Sequence, residues 1–126
     1  MLQAYSNNIT VEADQAVPFN NTQLLKGCTA AHDSPATFEL NKCGTYLVTF
    51  NGSAATDVTA QVFVNGVARP GAQGTGTAVA FSETIVVPNN NRRCDPCTSP
   101  TIVQVKNTGA AAETFDVANI IITKLN

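Results

Sequence analysis

Alternation of apolar and polar residues with a period of two is the feature that most constrains what this chain can fold into. No stretch shows a helical period, and the alternation recurs in five separate stretches: residues 38–50, 58–64, 79–87, 102–105 and 115–122. Side chains that alternate in this way suit pleated strands with one buried face. With Gly, Asn and Pro turns between them, these stretches predict an all-β, two-sheet antiparallel sandwich or jelly roll.

Turn residues predict where the strands end. Asn7-Asn8 and the run Asn51-Gly52-Ser53 each predict a break between two strands, and Asn65-Gly66 predicts a tight hairpin because both residues tolerate positive φ. The glycine-rich residues 71–76 predict a hairpin loop, since no Lys and no helix follow as in a phosphate-binding loop. The isoleucines at 120–122 predict a central strand that is buried on both faces.

Length and charge indicate one domain that associates with copies of itself. The 126 residues are enough for a single core, so we expect one domain over residues 1–126. Charged residues make up only 13% of the chain and the net charge is -2, whereas about 25% is typical of soluble domains. A chain with so little charged surface is expected to bury part of that surface against sister chains.

The distribution of charge and hydropathy excludes two classes of partner. The seven Lys and Arg are scattered except for Arg92-Arg93 and form no basic stripe, so we expect no nucleic acid partner. No stretch approaches the roughly 18 apolar residues that would span a bilayer. Residues 1–6 lack the basic start and apolar run of a secretory signal. We therefore expect synthesis in the cytoplasm and no membrane partner.

The sequence offers no catalytic constellation. His32-Asp33-Ser34 contains the residue types of a hydrolase triad, but adjacent positions cannot place the base against its neighbour's nucleophile. A polar turn before Pro35 is the interpretation that remains. Since the chain has a single His and its aspartates are spread singly, we expect no enzymatic activity.

Four short motifs occur in an order that resembles a known family. They are Phe38-Glu39-Leu40, Gly44-Thr45-Tyr46-Leu47-Val48-Thr49-Phe50, Val62-Phe63-Val64-Asn65-Gly66 and Asn119-Ile120-Ile121-Ile122. This order resembles the jelly-roll family of the complement globular heads and tumour necrosis factor, particularly the bacterial and phage versions on collagen-like fibres and virion proteins. The chain departs from that pattern in lacking a Gly-X-Y stalk and in carrying cysteines within residues 89–99.

The resemblance implies a homotrimer that binds or assembles without catalysis. Members of the family pack aromatic and aliphatic residues of one sheet against their neighbours around a three-fold axis. Tyr5, Tyr46, Phe50 and Phe115 are the corresponding candidates for the trimer interface here. For each of them, a place in the core of its own subunit is the alternative that the alternation favours.

Four cysteines are candidates for disulfides or for a metal site. Cys94 and Cys97 have the two-residue spacing of zinc knuckles and redox dithiols, and Cys28 and Cys43 complete the set. Disulfides within these two pairs, free thiols and a zinc site all remain open. The jelly-roll order predicts that the loops before Cys43 and around Cys94 lie at opposite ends of the sandwich, which weighs against zinc. No other cofactor is expected.

Two functional hypotheses follow, with a third kept for contrast. The first is a phage or prophage virion protein, a capsid decoration or fibre head, that contacts other capsid or tail proteins. The second is a receptor-binding or adhesive head of a tail fibre or spore-surface filament that recognises a host glycan or protein. Arg92, Arg93 and Asp95 are its candidate contact residues, although a solvated loop is the favoured interpretation of the two arginines. The third, a small metal-dependent enzyme, would require bound zinc.

Overall fold

The fold consists of β-strands throughout the part of the chain that the structure describes. This computed structural model describes residues 1–25, 30–87 and 101–125, apart from the side chains of residues 24 and 31–33. Those ranges contain eight strands and no helix. The strands are β1 Leu2–Val11, β2 Asn21–Leu25, β3 Ala30–Ser34, β4 Thr37–Leu40, β5 Gly44–Val64, β6 Val67–Val87, β7 Thr101–Asn107 and β8 Glu113–Lys124.

One continuous sheet curls over to form two layers. Its strand order is β2-β1-β8-β5-β7-β4-β3, and β6 pairs with the other edge of β5. The first part of β5 pairs with β8 over residues 46–53, whereas its last part pairs with β7 over residues 60–64. We call β2, β1, β8 and the adjoining parts of β5 and β6 the front sheet, and β3, β4, β7 and the remaining parts the back sheet. The predicted jelly-roll sandwich is confirmed.

The two long strands β5 and β6 run through both sheets, which corrects two predicted turns. Residues 51–53 lie within β5, and residues 71–76 lie within β6. Both strands bend where their register slips, between Ser53 and Val58 on β5. Gly76, with a φ of 149°, pairs with Val58 at this bend. The glycines therefore let β5 and β6 cross from one sheet to the other, and they do not end a strand.

Of the other local predictions, some are confirmed and some are wrong. Asn65-Gly66 forms the predicted hairpin, with φ of 50° and 81°. Asn7-Asn8 does not separate two strands, since Asn8 adopts a φ of 53° inside β1. Residues 32–34 lie in β3 and are not a turn, because His32 pairs with Phe38 and Ser34 with Thr37. β8 is a central strand between β1 and β5, as predicted, but it is not buried on both faces in the single chain, since Ile121 is partly exposed.

The core lies between the sheets and is built around phenylalanines. The ring of Phe50 lies 5.2 Å from Phe81 and 6.2 Å from both Phe19 and Phe115, and Phe19 lies 5.5 Å from Phe38, measured between ring centroids. Aromatic pairs at such distances add to the burial of their apolar surface. Across the described ranges, the structure contains no helix long and apolar enough to cross a membrane.

Candidate assembly interface

The outward side of the front sheet is a broad surface, and the register of its strands defines it. Buried Ala4, Val48 and Ile120 face the core, so the residues that alternate with them face away from it. We call this surface the front face. It comprises Gln3, Tyr5, Asn7, Thr45, Leu47, Thr49, Asn51, Ser53, Ala78, Ala80, Ser82, Thr84, Val86, Val117, Asn119, Ile121 and Thr123.

None of these seventeen residues carries a charged side chain, although exposed Asp116 adjoins Val117 on β8. The outward side of the back sheet differs, because Glu39 and Lys106 lie there and Lys106 places its Nζ 4.7 Å from the centre of the Phe63 ring. Charged residues are the ordinary means of keeping a sheet surface in water. The front face therefore shares with the cores of protein interfaces a low content of charged residues.

Aliphatic and amide side chains share the front face in an ordered way. Ile121 lies opposite Thr49, and Leu47 lies opposite Thr123, which puts two partly buried aliphatic side chains near its centre. Next to them, the Gln3 Nε2 donates a hydrogen bond of 3.1 Å to Asn119 Oδ1. Amides that bond to each other along the sheet leave less hydrogen-bonding capacity to be lost when the surface is covered.

The size of the front face follows from its four strands. Its residues span positions 3–7 of β1, 45–53 of β5, 78–86 of β6 and 117–123 of β8, and strands lie about 4.8 Å apart with a rise of about 3.4 Å per residue. The face therefore measures on the order of 500 Å², which is below the roughly 800 Å² that one partner buries in a standard-size protein interface.

A depression of about 340 Å³ indents the front face near its β6 edge. Its walls are small side chains, Ser53, Ala78 and Ala80, together with Val117 on the β8 side. Val117 remains 42% exposed although it belongs to a central strand. The depression thus combines apolar walls with enough room for a single large side chain.

Comparison with known proteins identifies the fold. A scan against protein-family models and a search of curated proteins gave no match. Among solved structures, the globular domain of the zebrafish complement 1qA protein is similar, with a TM-score of 0.64 and 12% identity over 95% of this chain and 94% of that one. Rabbit GITRL has a TM-score of 0.58 and 10% identity over 100% of this chain and 95% of that one.

The chain has the C1q/TNF-like jelly-roll fold. Because the sequence identities are so low, the comparison supports the architecture and not a shared ligand or partner. It does agree with the two-layer arrangement seen here.

The C1q/TNF-like fold buries three of the four predicted trimer residues inside their own subunit. Tyr46, Phe50 and Phe115 are each 0% exposed, so they cannot contact another copy as the sequence-based assignment required. The alternation placed these aromatic residues on the inward faces of β5 and β8, where the sandwich core needs large side chains. Tyr5 differs, because it lies on the front face and is only partly buried.

Sequence reasoning missed the aliphatic residues of the front face. Leu47, Val117 and Ile121 occupy outward positions, yet each alternates with a buried neighbour. The signal that could have found them is an apolar residue at the polar position of an alternating strand. Such residues are unexpected on a solvated sheet but expected on one that is covered.

The hydroxyl of Tyr46 serves the structure of the subunit. It donates a hydrogen bond of 2.7 Å to the carbonyl oxygen of Lys42, which ties the start of β5 to the segment before it. Burial raises the pKa of the Tyr46 phenol above its ordinary value. The neutral phenol is therefore the form that the folded chain favours.

Only one of the predicted cysteine, metal and loop residues lies within the described part of the chain. Cys43 is disulfide-bonded, and a sulfur in a disulfide is not a thiolate ligand for zinc. Cys28, Cys94, Cys97, Arg92, Arg93 and Asp95 lie outside the described residues, so their pairing and contacts stay predictions. Within the described residues, no group of three or more His, Cys, Asp or Glu is placed to hold a metal ion.

The strand register corrects one argument about the cysteines. Gly44, which follows Cys43, pairs with Val87, and Leu40 pairs with Thr101. Cys43 therefore lies at the same end of the sandwich as the two residues that flank 88–100, whereas the sequence-based argument expected opposite ends. The cause is that β5 and β6 form one antiparallel hairpin, which brings the start of β5 beside the end of β6.

Proposed function

We propose that this chain is a non-enzymatic structural protein that assembles as a homotrimer through its front face. The observation that carries the proposal is the absence of charged side chains from the front face, next to a back sheet that bears Glu39 and Lys106. An uncharged surface on the order of 500 Å² with aliphatic residues at its centre supports burial between copies. The trimeric state is the one that the sequence resemblance implies.

Within this proposal the trimer belongs to a phage or prophage virion, as a capsid decoration or the head of a fibre. This placement rests on the resemblance of the sequence motifs to the bacterial and phage versions of the fold. A density map of the assembled particle tests it, and we expect a three-fold cluster of this domain on the capsid or at a fibre tip. If the purified trimer instead binds host cell walls, and substitution of Arg92, Arg93 and Asp95 abolishes the binding, the adhesive head replaces the virion structural role.

The assembly is tested by the mass of the protein in solution. Wild-type protein is expected to sediment at three times the monomer mass of 13.2 kDa. The variant Ile121→Arg places an uncompensated charge at the centre of the front face, and such a charge costs about 3–5 kcal/mol when it is buried without a partner. We expect this variant to sediment as a monomer with an unchanged β circular dichroism spectrum.

Ile102→Arg provides the matched control. Ile102 is a partly buried residue on the outward side of the back sheet, opposite Glu39. The same substitution there should leave the trimer intact. A wild-type protein that stays monomeric at every concentration, or two variants that dissociate alike, would contradict assembly through the front face.

A further inference from the structure

We propose that the side chain of Tyr5 from one copy of the chain inserts into the depression beside Ala80 of the next copy. This inference rests on the proposed homotrimer and specifies how its front faces meet. The depression and Tyr5 both belong to the front face of a single chain, but they lie near its opposite edges. Each copy therefore carries one partly buried tyrosine and one recess on this face.

The strand register fixes the separation of the two features. Tyr5 pairs with Asn119, Asn119 with Asn51, and Asn51 with Ala80, so the four residues form one row across the sheet. Three steps of about 4.8 Å put Tyr5 and Ala80 about 14 Å apart within a chain. A tyrosine ring cannot span this distance, so the depression is not filled by the Tyr5 of its own subunit.

The shape and chemistry of the depression suit a phenol ring. Its volume of about 340 Å³ exceeds that of one aromatic ring, and its walls are apolar apart from Asn51 and Ser53. These two polar side chains lie where a phenol hydroxyl needs a hydrogen-bond partner once it leaves water. Tyr5 is also the one aromatic residue among those that make up the front face.

A tyrosine and a recess near opposite edges of one face favour a head-to-tail contact. In such a contact each copy uses two different surface patches, and the arrangement closes into a ring when the rotation between copies permits. A ring of three copies fills every recess and buries every Tyr5. The sideways offset of the two features is thus consistent with three-fold symmetry.

A double-mutant cycle on trimer dissociation tests the insertion. Tyr5→Ala removes the phenol ring, and Ala80→Trp fills the recess. The dissociation midpoint is the protein concentration at which half of the trimer has dissociated, so a higher midpoint means a weaker trimer. Truncating a central aromatic residue of an interface is expected to raise this midpoint at least about tenfold. Filling the pocket of that residue should do the same. Because residues this far apart within a chain do not couple, strongly non-additive effects in the double variant would report a contact between copies.

The outcomes separate this inference from the proposed function. If both single variants weaken the trimer and the double variant is no weaker than the worse of them, the insertion is supported. If the two effects add, or if either single variant is as stable a trimer as wild type, the insertion is wrong although assembly through the front face can still hold. A monomeric wild type overturns both. Ala112→Trp, at an exposed site outside the front face, controls for the added indole and should leave the midpoint unchanged.

Fluorescence gives a second readout that does not depend on mass. The chain contains no Trp, so Tyr5→Trp introduces a single reporter. We expect blue-shifted emission from the trimer and a red shift on dilution to the monomer. The shift should disappear when Ala80→Arg blocks the recess, and emission typical of exposed indole at all concentrations would overturn the insertion.

Discussion

At the scale of single residues, a buried amide organises the junction between β7, β1 and the approach to β8. Asn107 is 0% exposed, and its Nδ2 donates hydrogen bonds to the carbonyl oxygens of Val11 and Ala111 at 2.9 and 3.0 Å. Its Oδ1 accepts a hydrogen bond of 2.8 Å from the backbone N–H of Gly109. One side chain thereby satisfies three backbone groups where three segments of chain meet.

Replacement of Asn107 should be costly. In Asn107→Ala the backbone partners lose their hydrogen bonds, so we expect the free energy of unfolding to fall by about 2–4 kcal/mol. Urea denaturation followed by circular dichroism measures the change. Asn20→Ala, at an exposed position, is the control and should change the free energy by less than about 0.5 kcal/mol. A similar small change in Asn107→Ala would show that water replaces the amide without penalty.

Tyr46 gives the fold a specific sensitivity to alkaline pH. Its raised pKa means that the native state binds the phenolic proton more tightly than the unfolded state does. The resulting stabilisation is complete below a pH of about 10 and is lost as the pH rises through the raised pKa of the folded state.

Tyr46→Phe isolates this effect. The variant should be less stable than wild type near neutral pH by about 1 kcal/mol, since it loses the hydrogen bond to Lys42. The difference in stability should shrink at high pH, because only the wild type has a buried phenol whose ionisation destabilises the folded state. Urea midpoints of both proteins between pH values of about 7 and 11 measure it. Parallel curves for the two proteins would refute the coupling.

At the scale of elements, the crossing of β5 and β6 between the sheets depends on small residues. A Cβ atom added to Gly74 would lie 2.8 Å from Cγ1 of Val79, whereas one added to Gly71 would meet nothing within 4 Å. Both glycines belong to β6. Gly74 lies close to Val79, a later residue of the same strand, whereas Gly71 lies in open space.

The pair of glycines provides a matched experiment on this crossing. Gly74→Val should destabilise the fold by about 1–3 kcal/mol, because Val79 is buried and cannot move away freely. Gly71→Val should be neutral or slightly stabilising, since a β-branched residue suits an exposed strand. Thermal unfolding of both variants measures the difference. Equal melting temperatures would mean that the bend adjusts to a side chain at either position.

Elements also show where the sequence was informative and where it was not. The alternation in β4, β5, β7 and β8 predicted the strands, because each has one buried face. Turn chemistry was ambiguous, since Asn and Gly serve a hairpin at Asn65-Gly66 but a kink inside a strand at Asn8 and a bend at Gly76. Local residue preference reports the backbone conformation at one position and not whether hydrogen bonding continues beyond it.

At the scale of the whole molecule, alternation predicts which residues share a face but not which surface is covered by another chain. Tyr46 and Phe50 share a face with each other, and Leu47 and Thr49 share the opposite one. The sequence-based prediction assigned large aromatic residues to the interface, and these residues lie on the inner face. Only the paired register of β1, β8, β5 and β6 shows that the residues of the front face include no charged side chain, with Asp116 at their border. The proposed interface is thus a property of the sheet and not of any one strand.

The absence of charge makes a prediction about salt. Exposed ion pairs are screened within about 10 Å at 0.1 M salt and within about 3 Å at 1 M, so an interface held by them weakens as NaCl rises. The proposed contacts between copies through Leu47, Ile121, Val117 and Tyr5 involve no charged side chain and would have no such dependence. We therefore expect the protein concentration at which half of the proposed trimer dissociates, measured by sedimentation, to change by less than about threefold between these salt concentrations. Sodium sulfate should strengthen assembly, because it favours burial of apolar surface. A tenfold weakening in NaCl would mean that charged residues outside the front face hold the copies together, and the covered surface would then have to be sought elsewhere on the molecule.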